Sequence, residues 1–339
     1  MTIGGVLRAQ GNLAAALDNY KAAQTIIERL AATDPGNATW QGNLSASHIS
    51  IGDVLRAQGN LTAALDNFKA AQTIRERLAA TDPGNTGGQS NLALSEERIG
   101  VVLRAQGNLA AALDNYKAAQ AIRERLAATD PGNTGWQSNL SFSYINIGGV
   151  LWTQGNLAAA LDNYKAAQAI RERLAATDPG NTGWQSNLST SHISIGDVLQ
   201  AQGNLAAALD NYKAAQAIRE RLAAADPGNI GWQRNLAICN ERVGDTYVKQ
   251  GRTSEAIDAF DHALSAYRVL IARDPDDIQS RVSSVVPLWR LGKLKAKDGR
   301  KDLQDALGIL KALAQADRLD ATRRQWIPVI EAQISALGD

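Results

Sequence analysis

Leu94, Glu97, Arg98, Val101 and Arg104 follow one another at steps of three, one, three and three. Residues so spaced share one side of a helix. Forty-eight residues further on, the same places hold Phe142, Ile145, Asn146, Gly149 and Trp152. Then come Thr190, Ile193, Ser194, Asp197 and Gln200, and after them Ile238, Glu241, Arg242, Asp245 and Val248. An earlier copy has Ala46, Ile49, Ser50, Asp53 and Arg56. In the earlier copies the stretch that follows each set, such as Gly107 to Ala128, hardly changes, whereas these places differ from copy to copy. The chemistry of this stripe is that of recognition. Guanidinium groups such as Arg56, Arg98, Arg104 and Arg242 hold carboxylates through paired N–H bonds. Aromatic side chains such as Phe142 and Trp152 are the usual anchors of a binding surface. The other reading of the same variation is solvent-exposed positions that drift freely.

No catalytic or metal-binding set competes with this stripe. His48 and His192 are copies of one repeat position, and His262 stands apart. No H-E-x-x-H, C-x-x-C or phosphate-cradling glycine loop is present. Cys239 is read as a small packed residue, not a nucleophile. The recurring Asp-Pro-Gly-Asn is turn chemistry. Arg219, Glu220 and Arg221, repeated in other copies, are expected on a solvated face with local ion pairs. The expectation is therefore no enzyme, no metal and no cofactor.

The stripe belongs to the first of two helices in each unit. The second is read from Leu205, Ala208, Leu209, Tyr212, Ala215, Ile218 and Leu222, at steps of three or four. It is predicted over roughly 205 to 225, opened by Asn204 as a cap and closed before Pro227. The first helix is predicted from about Trp184 to Gln202, with Asn181 or Thr182 capping it. Gly203 ends it and lets the chain turn. We call the two helices A and B. The opening glycine recurs as Gly11, Gly59, Gly107, Gly155, Gly203, Gly251 and Gly299, always 48 residues apart. Such a period means stacked units, each too small to bury its apolar face alone.

Ile195-Gly196 on helix A, and Ala208, Tyr212 and Ala215 on helix B, resemble the small and large positions of the tetratricopeptide repeat. The small residue recurs as Gly4, Gly52, Gly100, Gly148, Gly196, Gly244 and Gly292. The ring recurs as Tyr20, Phe68, Tyr116, Tyr164, Tyr212 and Phe260. The usual repeat has 34 residues. The excess of 14 is accounted for by two added turns per helix, in the style of bacterial long-helix arrays of the kinesin-light-chain type. The resemblance implies an all-α fold: a right-handed α-solenoid of stacked antiparallel helical hairpins, about seven repeats with a C-terminal capping helix. It also implies that helix A lines a concave groove binding a peptide or protein segment. The groove residues would then be Arg56, Leu94, Glu97, Arg98, Arg104, Phe142, Asn146, Trp152, Asp197, Gln200, Glu241, Arg242 and Asp245.

Residues 1–277 are expected to form the array, with the first repeat truncated. Residues 278–339 are expected to form a degenerate seventh repeat and the cap. Gln106 to Ser141 recurs letter for letter as Gln154 to Ser189, the mark of recent duplication. Pro287 is expected to kink the seventh helix A or delay its start. A last helix over about 321–337 carries Trp326, Ile330 and Ile334 on one side. The half-repeat at the start leaves an open edge, which frays, or is covered by a partner or a second copy of the chain.

The chain has 35 basic and 34 acidic residues, for a net charge of +1. That balance argues against a nucleic-acid binder. No stretch approaches the roughly 20 apolar residues of a membrane span, and no leader is read at the N-terminus. One cysteine fits a reducing compartment. The expectation is a scaffold or adaptor in the cytoplasm of a bacterium. The other function considered is the sensor or assembly arm of a multidomain signalling or defence protein.

Overall fold

The computed structural model describes residues 2–337, and among these there are helices and no strands. The helices come in consecutive pairs. They are α1 (Ile3–Ala9) with α2 (Leu13–Thr33), α3 (Ala38–Ala57) with α4 (Leu61–Thr81), and α5 (Thr86–Ala105) with α6 (Leu109–Thr129). Next are α7 (Thr134–Thr153) with α8 (Leu157–Thr177), α9 (Thr182–Ala201) with α10 (Leu205–Ala225), and α11 (Ile230–Lys249) with α12 (Thr253–Arg273). The last repeat has α13 (Ile278–Leu294) and α14 (Arg300–Gln315), followed by the short α15 (Ala321–Arg324) and α16 (Trp326–Ala336). Short connections between helices that pack together make each pair an antiparallel hairpin. The chain divides into two compact units, one through Ile170 and one from Arg171.

Local chemistry accounts for the boundaries. Asn181 is the cap of α9, its side chain accepting from the Trp184 N–H at 3.0 Å. Asn204 caps α10 in the same way, accepting from the Ala207 N–H at 3.3 Å. Gly203 turns the chain between them at φ +80°, a conformation that costs other residues a Cβ clash. Pro227 follows the end of α10 by two residues.

The small-and-large pairing of each hairpin is a close helix crossing. A Cβ on Gly196 would lie 2.5 Å from the Tyr212 ring, and one on Gly52 the same distance from the Phe68 ring. Such contacts exclude any larger residue, so the glycine lets the ring of helix B sit against the backbone of helix A. Tyr212 and Phe68 are fully buried. Ala208, Ala215 and Ala256 join Tyr212 in the core of the second unit, and Ala64, Ala71 and Ala112 join Phe68 in that of the first. On the first hairpin Ile3, Val6, Ile26 and Leu30 stand exposed, Ile26 by 62%.

Three expectations are corrected. Arg219 is not on a solvated face: it is 8% exposed, and its counterparts Arg75, Arg123 and Arg171 are as deeply buried. Pro287 does not delay its helix, because α13 starts at Ile278 and runs through it. The last helix is broken, since α15 and α16 are separated at Gln325. Ile330 is nonetheless buried, and Trp326 and Ile334 pack against the same core. The turn of the last repeat has also moved. Ala296, not Gly299, takes the positive φ, at 51°. Gly299 instead meets Gly292 so closely that a Cβ would fall 2.3 Å from the Gly292 carbonyl oxygen.

Candidate functional site

Helix A positions in both units place the variable stripe at the surface, with one exception per unit. Ile49 and Ile193 are buried and Ile145 is half-buried, so that place leans towards the core when it is apolar. Where it is Glu97 or Glu241, the carboxylate is drawn inward. Glu97 is bound by Arg123, which also donates to the Ser143 hydroxyl at 2.9 Å. Glu241 has one carboxylate oxygen buried without a hydrogen bond. Burial pushes its pKa up to about 7, against the pull of the Tyr267 hydroxyl. Both glutamates were expected on the groove face; Glu97 is engaged by Arg123 and Glu241 has one oxygen buried.

In the first unit, Asp53 on α3 lies among three guanidiniums. Arg98 of α5 is 3.5 Å away, Arg8 of α1 3.7 Å and Arg56 of its own helix 3.9 Å. These are loose ion pairs, and the Nε atoms of Arg56 and Arg98 are buried without a partner. Arg104 extends from α5 towards α7, where its Nη1 lies 3.3 Å from the place of a Cβ on Gly149. On α7, Phe142 and Trp152 are exposed by 39% and 36%. Ten residues apart, they are about 15 Å apart along the helix, so they are separate anchors. Leu94 and Asn146 are half-buried between the helices. The Tyr116 hydroxyl is buried with no partner, because Val101 stands where a repeat can offer an aspartate.

In the second unit the same positions are paired. Asp197 on α9 accepts from Arg242 on α11 at 2.7 Å and from the Tyr212 hydroxyl at 2.7 Å. Asp245 on α11 pairs with Arg290 on α13 at 3.1 Å. Gln200 donates to the Thr246 hydroxyl at 3.0 Å. Burial raises the pKa of both Asp197 and Asp245, and the neighbouring arginines oppose it. The exposed apolar side chains here are Ile238 and Val248.

Sequence reasoning missed the partners Arg8, Asp53, Arg290 and Thr246. A signal was present: Asp53, Asp197 and Asp245 each have an arginine 45 residues later, whereas Val101 and Gly149 have Asn146 and Ser194. It also missed the buried arginines. Arg75 on α4 donates to Ser45 of α3 at 3.1 Å, and to the Asn91 carbonyl and the Ser95 hydroxyl of α5 at 2.7 and 3.0 Å. Arg219 on α10 joins Ser189 of α9 to the Asn235 carbonyl of α11, at 3.3 and 2.7 Å. Desolvation lowers the pKa of Arg75 to about 10 and lowers that of Arg219. Each of these arginines pins a B helix between two A helices. Cys239 is fully buried, its thiol pushed up to about 11 by desolvation and set against the Tyr212 carbonyl at 3.4 Å. Among the described residues, no group of histidine, cysteine and carboxylate side chains could hold a metal ion. No helix there is long and apolar enough to cross a membrane.

Residues 143–178 and 187–269 match two family models, each described as tetratricopeptide repeat. The chain carries tetratricopeptide repeats. Solved structures share the architecture. BtubC (BKLC) from P. vanneervenii is similar over 77% of this chain and 92% of its own, with 17% identity and a TM-score of 0.59. The apo form of RapI is similar over 79% and 96%, with 11% identity and a TM-score of 0.51. A protein from Podosopora anserina with nearly identical TPR-like repeats is similar over 69% and 98%, with 11% identity and a TM-score of 0.51. At these identities the likeness is one of fold. A search of curated proteins by sequence found no match. The tetratricopeptide repeats explain the glycine–ring crossings and the stacking of pairs.

Proposed function

We propose that the first unit binds a protein or peptide segment across α5 and α7, without catalysing a reaction. The observation that carries this reading is the Arg104 guanidinium set over Gly149 of α7, the helix on which Trp152 and Phe142 stand exposed. The guanidinium reaches over Gly149 and has no carboxylate within ion-pair distance among the described residues, while two large rings stand exposed on the facing helix. Rings and arginines of this kind supply most of the energy of protein interfaces. An unpaired guanidinium favours a segment that brings a carboxylate. In the second unit the homologous charges neutralise each other, so Asp197, Arg242 and Asp245 are assigned to holding neighbouring helices together, and Gln200 likewise. Arg56 and Arg98 share Asp53 and retain donors for a second carboxylate.

The test is capture of a partner from lysate with the full chain, followed by titration of the identified segment. Trp152→Ala and Arg104→Ala are each expected to weaken binding about tenfold or more, equivalent to about 1.4 kcal/mol. Undiminished binding by the double variant would refute the assignment and move the site to another face.

A further inference from the structure

The third helix A lacks a ring that its siblings have. Trp40, Trp136, Trp184 and Trp232 occupy one repeat position, and Gly88 occupies it on α5. In the siblings the ring has a definite seat. Trp136 packs against the cluster holding Ile122 and Leu126 of the preceding helix B. Trp232 meets Ser186, Ser189, Arg219, Leu222 and Asn235 around one small gap. At Gly88 the seat remains and the ring does not. Ile74 and Leu78 of α4, the counterparts of Ile122 and Leu126, are half-buried, whereas Ile122 and Leu126 are 7% and 6% exposed.

A Cβ on Gly88 would have the Asn85 side chain as its nearest neighbour, at ordinary contact distances of 3.5 Å or more. Across the gap, the counterpart of Ser186 is Gly42, whose missing Cβ has no neighbour within 4 Å. Ser280 shows what accommodation of a lost ring looks like. There Arg234 reaches across to Asp277 and Ser280 at 3.1 and 3.4 Å, Ala266 replaces the isoleucine, and Leu270 is 4% exposed. No such change accompanies Gly88.

We propose that this notch is a socket for the indole ring of a tryptophan carried by a partner polypeptide. Its apolar floor is Ile74 and Leu78. The guanidinium of Arg75, held by Ser45, Asn91 and Ser95, lies at the position from which Arg219 meets Trp232. Apolar seats left by a missing side chain take a ring of matching shape, and a ring next to a guanidinium gains further attraction. The sibling repeats identify the occupant: Trp136 and Trp232 each bring an indole to this seat on a polypeptide, although Ile26 and Leu30 beside Trp40 stay exposed. The notch uses none of the stripe residues and stands independently of the surface proposed above.

The test follows methyl resonances of the full chain during titration with N-acetyltryptophanamide. The expected result is saturable shifts at Ile74 and Leu78 and none at Ile122 and Leu126. Gly88→Trp, which restores the sibling residue, is expected to abolish those shifts and to raise Tm by roughly 2–4 °C. Leu78→Ala, which leaves the notch open but removes its floor, is expected to weaken binding about tenfold. Absence of shifts at Ile74 and Leu78 at about 10 mM probe, or shifts that persist in Gly88→Trp, would overturn the proposal. Shifts produced by free indole and not by N-acetyltryptophanamide would overturn the polypeptide source.

Discussion

Asp197 and Arg242 lie 45 residues apart in the chain and 2.7 Å apart in the structure. The Tyr212 hydroxyl donates to the same aspartate oxygen. One carboxylate thus ties a helix A to its own helix B and to the helix A of the next repeat. Asp245 and Arg290 repeat the interhelical half of this arrangement, where Phe260 offers no hydroxyl.

A double-mutant cycle on Asp197→Ala and Arg242→Ala is expected to give a coupling energy of about 0.5–1 kcal/mol. The arginine side chain is 40% exposed, and solvent screens the pair. Asp197→Ala alone should cost about 1–2 kcal/mol, since it also strips the partner from the Tyr212 hydroxyl. Urea unfolding of the four chains measures both. A coupling indistinguishable from zero would assign the pair no part in holding the repeats in register.

Arg219 and Arg221 are two residues apart and separate burial from charge. Arg219→Ala removes bonds to Ser189 and Asn235 and opens a buried space, with an expected loss of about 2–4 kcal/mol. Arg221 is exposed, and Arg221→Ala should change stability by less than about 0.5 kcal/mol. Equal effects in thermal unfolding would contradict the role given to the buried arginines.

Glu241 predicts a pH dependence of known sign. Its carboxyl titrates near 7 in the folded chain and near the ordinary 4.3 when unfolded. Below both values the proton is bound in either state. As pH rises from about 4.5 to about 7, the unfolded chain releases the proton first, so this group's contribution shifts towards unfolding and levels off above 7. Glu241→Gln is therefore expected to leave stability unchanged at pH 4 and to raise it by roughly 1–3 kcal/mol at pH 8. The difference between variant and wild-type unfolding curves, taken from pH 4 to 8, isolates the group from Asp197 and Asp245. A difference that does not vary with pH would refute the raised pKa of this buried carboxyl.

Helix positions were legible because their causes are local. The three-and-four spacing of Ala208, Tyr212 and Ala215 marks a buried face, Asn204 satisfies free N–H groups two or three residues away, and Gly203 supplies a left-handed turn. Each depends on residues within one or two turns of helix. The departures at the end of the chain are places where that local grammar is weak. Ala296 takes the turn there, while Gly299 packs against Gly292.

The repeated sequence by itself determined the helices, their pairing and their period, and it marked the stripe where copies differ. Only the tertiary structure decided what each stripe residue does. Glu97 and Arg98 are neighbours in sequence, yet one turns inward to Arg123 and the other outward to Asp53. Arg219 and Arg221 look alike in the chain, and packing buries only the first. Trp152 and Arg242 sit on corresponding helices, and packing leaves the first exposed and gives the second a carboxylate. The physical reason is range. Helix formation depends on contacts a few residues apart, whereas burial and charge pairing depend on which side chain the next repeat brings alongside, 45 residues later.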